Sequence, residues 1–131
     1  MTIKVGINGF GRIGRCTLSH IAQSGRDDIE VIKLNATGPI ETAAHMLKYD
    51  SVHGRFPNPI TIDDGYLNLG QNDIEVMSTY NMEELDWSGC DVVLECTGQF
   101  NDGNKARTHI VPKRCYCPHR ARTWTARWCS A

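Results

Sequence analysis

Apolar and polar positions alternate over residues 2–8, Thr-Ile-Lys-Val-Gly-Ile-Asn, the period of a half-buried β-strand. The period then changes. Ile13, Leu18, Ile21 and Ala22 recur at roughly helical spacing over residues 11–24, and Ser24-Gly25 supplies a stop signal. Ile29 to Leu34 predicts a second strand ending at Asn35, and Gly38-Pro39 opens a second helix through Ala43, Ala44, Met46 and Leu47. Pro39 lies near the first turn of that helix, where a missing N–H costs little. Three short β segments follow, Ile60–Ile62, Tyr66–Leu69 and Ile74–Met77, and Asp64-Gly65 is a hairpin turn between the first two. Glu83-Glu84-Leu85 predicts a short helical turn ahead of Trp87. Asp91 to Cys96 reads as one further strand of the buried type, ending in Thr97-Gly98. Strands alternating with helices predict a parallel sheet joined by crossovers, with helices on both faces.

The junction of the first strand and first helix carries the chemistry. It reads Gly9-Phe10-Gly11-Arg12-Ile13-Gly14, the Gly-x-Gly-x-x-Gly pattern. Gly9 lets the backbone turn tightly at the strand end, and Gly11 has no Cβ to keep a phosphate off the main chain. Gly14 lets the helix pack close to the strand. The helix N-terminus then offers unpaired N–H groups and a positive dipole end to an anion. A glycine triplet alone is often only a Gly-rich turn. With a strand before it and a helix after it, the pattern points to a dinucleotide pyrophosphate, and the fold class becomes α/β with an incomplete Rossmann-type parallel sheet.

At 131 residues the chain is one domain at most, and no apolar run approaches the length of a membrane span. The start runs almost directly into a strand, with no charged-then-apolar leader, so the expected location is cytoplasmic and no membrane partner is expected. The formal net charge of −1 conceals a split. Every acidic residue lies at or before Asp102. Beyond it come Lys105, Arg107, Lys113, Arg114, Arg120, Arg122 and Arg127, together with Cys115, Cys117, Cys129, Trp124 and Trp128. The chain divides near residue 106 into two texts of different composition.

Residues 3–105 resemble the N-terminal cofactor domain of phosphorylating glyceraldehyde-3-phosphate dehydrogenases. KVGINGFGRIGR at 4–15, HMLKYDSVHGRF at 45–56, Trp87 and DVVLECTGQF at 91–100 carry the resemblance. The octet Tyr49 to Phe56 is far more specific than the glycines. Erythrose-4-phosphate dehydrogenases share the plan and are the nearest alternative within it. The resemblance implies a domain at 1–105 that binds NAD or NADP. Gly9, Phe10, Gly11, Arg12 and Ile13 match the pyrophosphate-binding turn, and Asn35 matches the residue beside the adenosine ribose. Cys96, Thr97 and Gly98 match the loop on the nicotinamide side, although the family more often has Ser where Cys96 stands. Tyr80 falls where an Arg beside the adenine is common.

Ala36 is the most informative departure. An NAD-specific member usually has Asp there, which hydrogen-bonds the ribose hydroxyls and repels a 2′-phosphate. Alanine removes both effects and leaves Thr37 as a hydroxyl donor, so NAD and NADP both stand as cofactors.

The resemblance also implies a reaction: a cysteine thiolate attacks glyceraldehyde 3-phosphate, hydride passes to the nicotinamide, and phosphate releases the acyl group. The Ser-Cys-Thr-Thr-Asn segment holding that thiolate does not occur here, and Cys16, Cys90 and Cys96 stand in other contexts. No catalytic residue is therefore assigned, and no turnover or family homotetramer is expected of the chain as written. His20 and His45 fall in helices, where packing roles are expected, and His53 belongs to the octet.

Residues 106–131 read as a tail written out of frame. A relative continues with a segment resembling VLLSAPGKNVDGTVVFG. Regrouping each codon's third base with the next two gives Leu for Cys115–Tyr116, Leu for Tyr116–Cys117, Asp for Trp124–Thr125 and Val for Trp128–Cys129. The intervening codons permit the rest of that segment. Each degenerate codon allows only a few residues, so agreement along the whole stretch points to a frameshift near residues 106–113. Cys115, Cys117, His119 and Cys129 could in number supply a zinc site, but Cys-x-Cys-x-His is not a common structural spacing, and no metal is assigned. The basic tail attracts polyanions, yet out-of-frame GC-rich DNA yields Arg, Trp and Cys without selection, so no specific nucleic-acid partner is expected.

Overall fold

The alternating first segment becomes the middle strand of the sheet. In a computed structural model, residues 2–50, 54–70, 72–81 and 84–97 are described in full, and residues 114–116 and 128–130 as backbone. β1 (Ile3–Asn8) is followed by α1 (Arg12–Gln23), β2 (Ile29–Asn35) and α2 (Ile40–Lys48). A two-residue ribbon, β3 (Tyr49–Asp50) and β4 (Gly54–Arg55), precedes the meander β5 (Thr61–Asp63), β6 (Tyr66–Asn68) and β7 (Asp73–Met77). β8 (Val92–Glu95), β9 (Arg114–Tyr116) and β10 (Trp128–Ser130) complete the described elements.

One sheet runs in the order β10-β9-β8-β1-β2-β7-β6-β5. β1 pairs in parallel with β2 on one side and with β8 on the other, and β2 pairs in parallel with β7. The meander adds antiparallel pairs, and its turn is the expected one: Asp64 at φ 46° and Gly65 at φ 80° give the two positive-φ residues of a type I′ turn. The Rossmann-type sheet expected from the alternation of strands and helices is thus present. His53 and Glu83 lie outside the described residues.

The apolar faces explain the layering. Val5, Ile7, Val31 and Leu34 from β1 and β2 bury against Leu18 and Ala22 of α1 and Ala43 and Leu47 of α2 in one cluster. On the opposite face, the described residues show a different cover from the helix expected there. Trp87, Cys90 and Val93 form a second cluster, with Ile32, Met77 and Leu85 packed against it. A Cβ on Gly6 would stand 2.6 Å from the Trp87 ring, so the glycine in β1 makes room for the indole. The short crossover from β7 to β8 thus covers its face with one large ring.

The outer edge of β8 is also covered. A sheet missing its later strands would leave that edge open, yet β9 pairs with it in parallel from Val92↔Arg114 to Leu94↔Tyr116, and β10 pairs antiparallel with β9. Main-chain pairing asks little of sequence, and an open edge is a template for any extended segment.

Lys33 is the buried cation of β2. Its ammonium donates to the Asp86 carbonyl at 2.9 Å, lies 3.2 Å from Asp86 Oδ2 and 3.3 Å from Glu75 Oε2, and ties the Trp87 loop to the sheet. Burial pushes the Lys33 pKa down, but hydrogen bonds and charge from Asp86 and Glu75 outweigh it and hold the pKa above its ordinary 10.5. Hydrogen bonds from Ser88, then from Lys33, hold Asp86 below its ordinary 3.8. The lysine contribution is therefore complete below its unfolded pKa and fades as pH rises through the raised folded value. The Asp86 contribution is present above its unfolded pKa and fades as pH falls through the lowered folded value. The stability difference between wild type and Lys33→Met, measured by urea unfolding, should be constant between roughly pH 5 and 9 and shrink on both sides.

Candidate functional site

A crevice of about 320 Å³ opens where the parallel strands end. β1 delivers Asn8, Gly9, Phe10 and Gly11 to it. The end of β2 delivers Asn35, Ala36 and Thr37, the end of β7 Thr79 and Tyr80, and the end of β8 Cys96 and Thr97. The crevice forms at the ends of the strands around β1: the chain leaves β1 through α1 toward β2, while β8 lies on the other side of β1, and open α/β sheets bind ligands outside the carboxyl ends of such strands.

The three glycines have separate structural reasons. Gly9 sits at φ 95°, and a Cβ there would stand 2.8 Å from the Thr97 backbone nitrogen. Gly14 is a packing residue: a Cβ would come within 2.2 Å of the Gly9 carbonyl oxygen, so only glycine lets α1 rest on the turn. Gly11 has nothing within 4 Å of its Cβ position, so no protein neighbour requires a glycine there. It is the N-cap of α1. The cap has no side-chain hydrogen bond and the first turn no acidic residue, which leaves the helix dipole uncompensated by a side chain.

Under the crevice runs a line of buried polar side chains, of which Asn8 and Asn35 reach its lining. Asn8, Asn35 and Glu95 are at most 3 % exposed. Asn8 Nδ2 donates to Glu95 Oε2 at 2.7 Å, and Asn35 Nδ2 donates to Asn8 Oδ1 at 2.8 Å. Asn35 also pairs twice with the Thr79 backbone, donating to its carbonyl at 3.0 Å and accepting from its N–H at 3.1 Å. At the other end, Glu95 Oε1 accepts from the Thr97 N–H at 3.0 Å and from the Thr97 hydroxyl. Asn8, Thr79 and Glu95 are the residues that reading the motif missed. Asn8 and Glu95, like Asn35, are the polar last residues of their strands, which is the one signal the sequence holds for them; Thr79 lies beyond the end of β7 and has none.

Of the other expected site residues, Gly9, Phe10, Gly11, Asn35, Ala36, Cys96 and Thr97 all line the crevice. Arg12 and Ile13 are the exposed first residues of α1, beside the crevice and not in its lining. Gly98 lies outside the described residues. The Ala36 N–H donates to the Met77 carbonyl at 2.9 Å, and the Gly38 N–H reaches Ser78 Oγ at 3.2 Å. The lining described has no charged side chain. Tyr80, in the position of the family's common Arg, is 86 % exposed.

Cys90 is buried with Trp87, away from the crevice, and burial pushes its thiol up to about 11. His20 and His45 are exposed on α1 and α2 and do not line the crevice. Among the described residues no group of three or more His, Cys, Asp or Glu could hold a metal, and no helix is long and apolar enough to cross a membrane. The side chains of Cys115, Cys117, His119 and Cys129 lie outside those residues.

Residues 3–103 match the family model for the glyceraldehyde 3-phosphate dehydrogenase NAD binding domain. The chain is 51 % identical over 110 residues to a glyceraldehyde-3-phosphate dehydrogenase of Cereibacter sphaeroides, covering 84 % of this chain and 33 % of that protein. It is 47 % identical over 113 residues to that of Xanthobacter flavus, covering 85 % and 34 %. For that of Salmonella typhimurium the figures are 46 % over 113 residues, covering 85 % and 34 %. The chain spans about a third of the length of these curated relatives.

The contact of Gly14 with the turn can be tested directly. Gly14→Ala should destabilise the chain by about 1–3 kcal/mol through overpacking, despite the higher helix propensity of alanine. Urea unfolding measures this, and an unchanged or raised midpoint would contradict it.

Proposed function

The chain belongs to the glyceraldehyde-3-phosphate dehydrogenase family, whose NAD-binding domain it carries, and on that premise we propose which residues hold the dinucleotide. The pyrophosphate sits on the turn Gly9, Phe10, Gly11, Arg12 and Ile13, against the first-turn N–H groups of α1. Asn35 and Ala36 take the adenosine ribose. Cys96, Thr97 and Gly98 take the nicotinamide side. One observation carries the assignment. Gly9 and Gly14 are glycines because the protein leaves no room for a side chain, whereas Gly11 faces open space at the mouth of the crevice. A close-lying phosphate is the reason that remains for a glycine there.

At the ribose position, Ala36 offers neither a carboxylate to bind two hydroxyls nor a charge to repel a 2′-phosphate. We therefore take both NAD and NADP as ligands. Titration calorimetry of the full chain should give saturable binding of NAD⁺ and NADP⁺ with affinities within about tenfold of each other. Ala36→Asp should weaken NADP⁺ selectively, and Gly11→Val should weaken both ligands by at least about tenfold at unchanged stability. No saturable binding of either dinucleotide would overturn the assignment.

The wider activity follows from the family resemblance. It is the oxidation and phosphorylation of an aldehyde, glyceraldehyde 3-phosphate, with hydride transfer to NAD(P), in the cytoplasm. Erythrose 4-phosphate is the alternative substrate within the same plan. To this chain we assign only the dinucleotide-binding part. The family homotetramer is not carried over.

We infer further that the domain covers residues 1–105 and that residues 106–131 are out of frame. The family match stops at residue 103. Resequencing the DNA across codons 100–131 should reveal an insertion or deletion, or an alternative frame continuing the family sequence. An alternative frame without that sequence would contradict the inference.

A further inference from the structure

Glu95 belongs to none of the motifs that point to the dinucleotide, yet it touches both the floor and one wall of the crevice. We propose that Glu95 is a positioning residue: by accepting at both of its oxygens it joins Asn8, and through Asn8 the Asn35–Thr79 pair, to Thr97, and so holds the Thr97 and Thr79 walls in register. That these walls face a dinucleotide rests on the function proposed above.

The polarity runs in one direction because both ends are backbone. The Thr79 N–H can only donate and its carbonyl can only accept. Asn35 meets them with Oδ1 and Nδ2 respectively, at 3.1 and 3.0 Å. A flipped Asn35 amide would set donor against donor and acceptor against acceptor. Its Nδ2 therefore also faces Asn8, which must present Oδ1, at 2.8 Å. Asn8 then has only Nδ2 to offer Glu95, at 2.7 Å. From the other side the Thr97 N–H, again a pure donor, lies 3.0 Å from Glu95 Oε1. Residue 95 must therefore accept at both of its terminal atoms. A carboxylate does so, and an amide of the same shape has one acceptor and one donor. Because these groups are buried, a mismatched contact has little water to repair it.

This logic predicts a rescue. Glu95→Gln leaves one donor facing a donor in either amide orientation. Asn8→Asp beside Glu95 sets two carboxylates against each other. Combining N8D with E95Q restores each of these hydrogen bonds. The new amide at position 95 accepts from the Thr97 N–H and donates to the new carboxylate at position 8. That carboxylate's second oxygen accepts from Asn35. The charge has moved one step along the floor, and the polarity is intact.

The test uses the full chain as wild type, E95Q, N8D and the double variant, with thermal unfolding by circular dichroism and NAD⁺ affinity by calorimetry. Each single variant should unfold at lower temperature and bind NAD⁺ about tenfold or more weakly, the scale of one buried hydrogen bond left unmade. The double variant should recover most of both losses. Losses that add in the double variant overturn the proposal, as does a double variant that fails to fold. If the double variant recovers its unfolding temperature while even the wild type ignores NAD⁺, the dinucleotide reading fails and the polarity of the floor stands. If the wild type binds NAD⁺ and no recovery occurs, Glu95 is not the positioning residue.

Discussion

The parallel pairing of β1 with β2 on one side and β8 on the other is the constraint from which the site follows. It sets three strands side by side with their carboxyl ends level, Asn8 beside Asn35 and Glu95. The chain leaves β1 for α1 and β2 in one direction, and β8 lies in the other. Polar strand ends become a floor, the glycine turn becomes one rim, and Thr79 and Thr97 become facing walls. The contact of Gly14 with the Gly9 carbonyl then fixes where the helix N-terminus points.

The same pairing explains which faces are covered and how. Two helices lie on one side because the β1–β2 crossover and the segment after β2 return along it. On the other side, among the described residues, the Trp87 indole, seated on Gly6, packs with Cys90 and Val93, and Lys33 anchors its loop through Asp86. The second arrangement is local and charge-dependent, whereas the first is distributed over many apolar contacts.

Much of this was legible in the residues. The period-2 and period-3.6 stretches located β1, α1, β2, α2 and β8 to within a residue or two, because each buries one apolar face. Asp64-Gly65 located the hairpin because few other pairs adopt two successive positive-φ conformations. The glycine pattern pointed to the crevice, and the resemblance supplied Asn35, Ala36, Cys96 and Thr97. The ribbon of β3 and β4 was not legible, since two-residue strands have no period. Asn8 and Glu95 looked like ordinary polar ends of strands; their role depends on neighbours distant in sequence, and only the strand order brings them together. β9 and β10 were hidden for a reason similar to that of β3 and β4: three residues each are too few to show a period.

The crevice over Asn8, Asn35 and Glu95 is the proposed dinucleotide site of this family member. Heteronuclear NMR of the ¹⁵N-labelled chain titrated with NAD⁺ tests it most directly. Saturable shifts are expected at the Gly9, Gly11, Asn35, Ala36 and Thr97 backbone amides, with the meander amides of β5 and β6 unmoved. Saturable shifts confined to residues away from the strand ends, or no saturable shift at all, would contradict it.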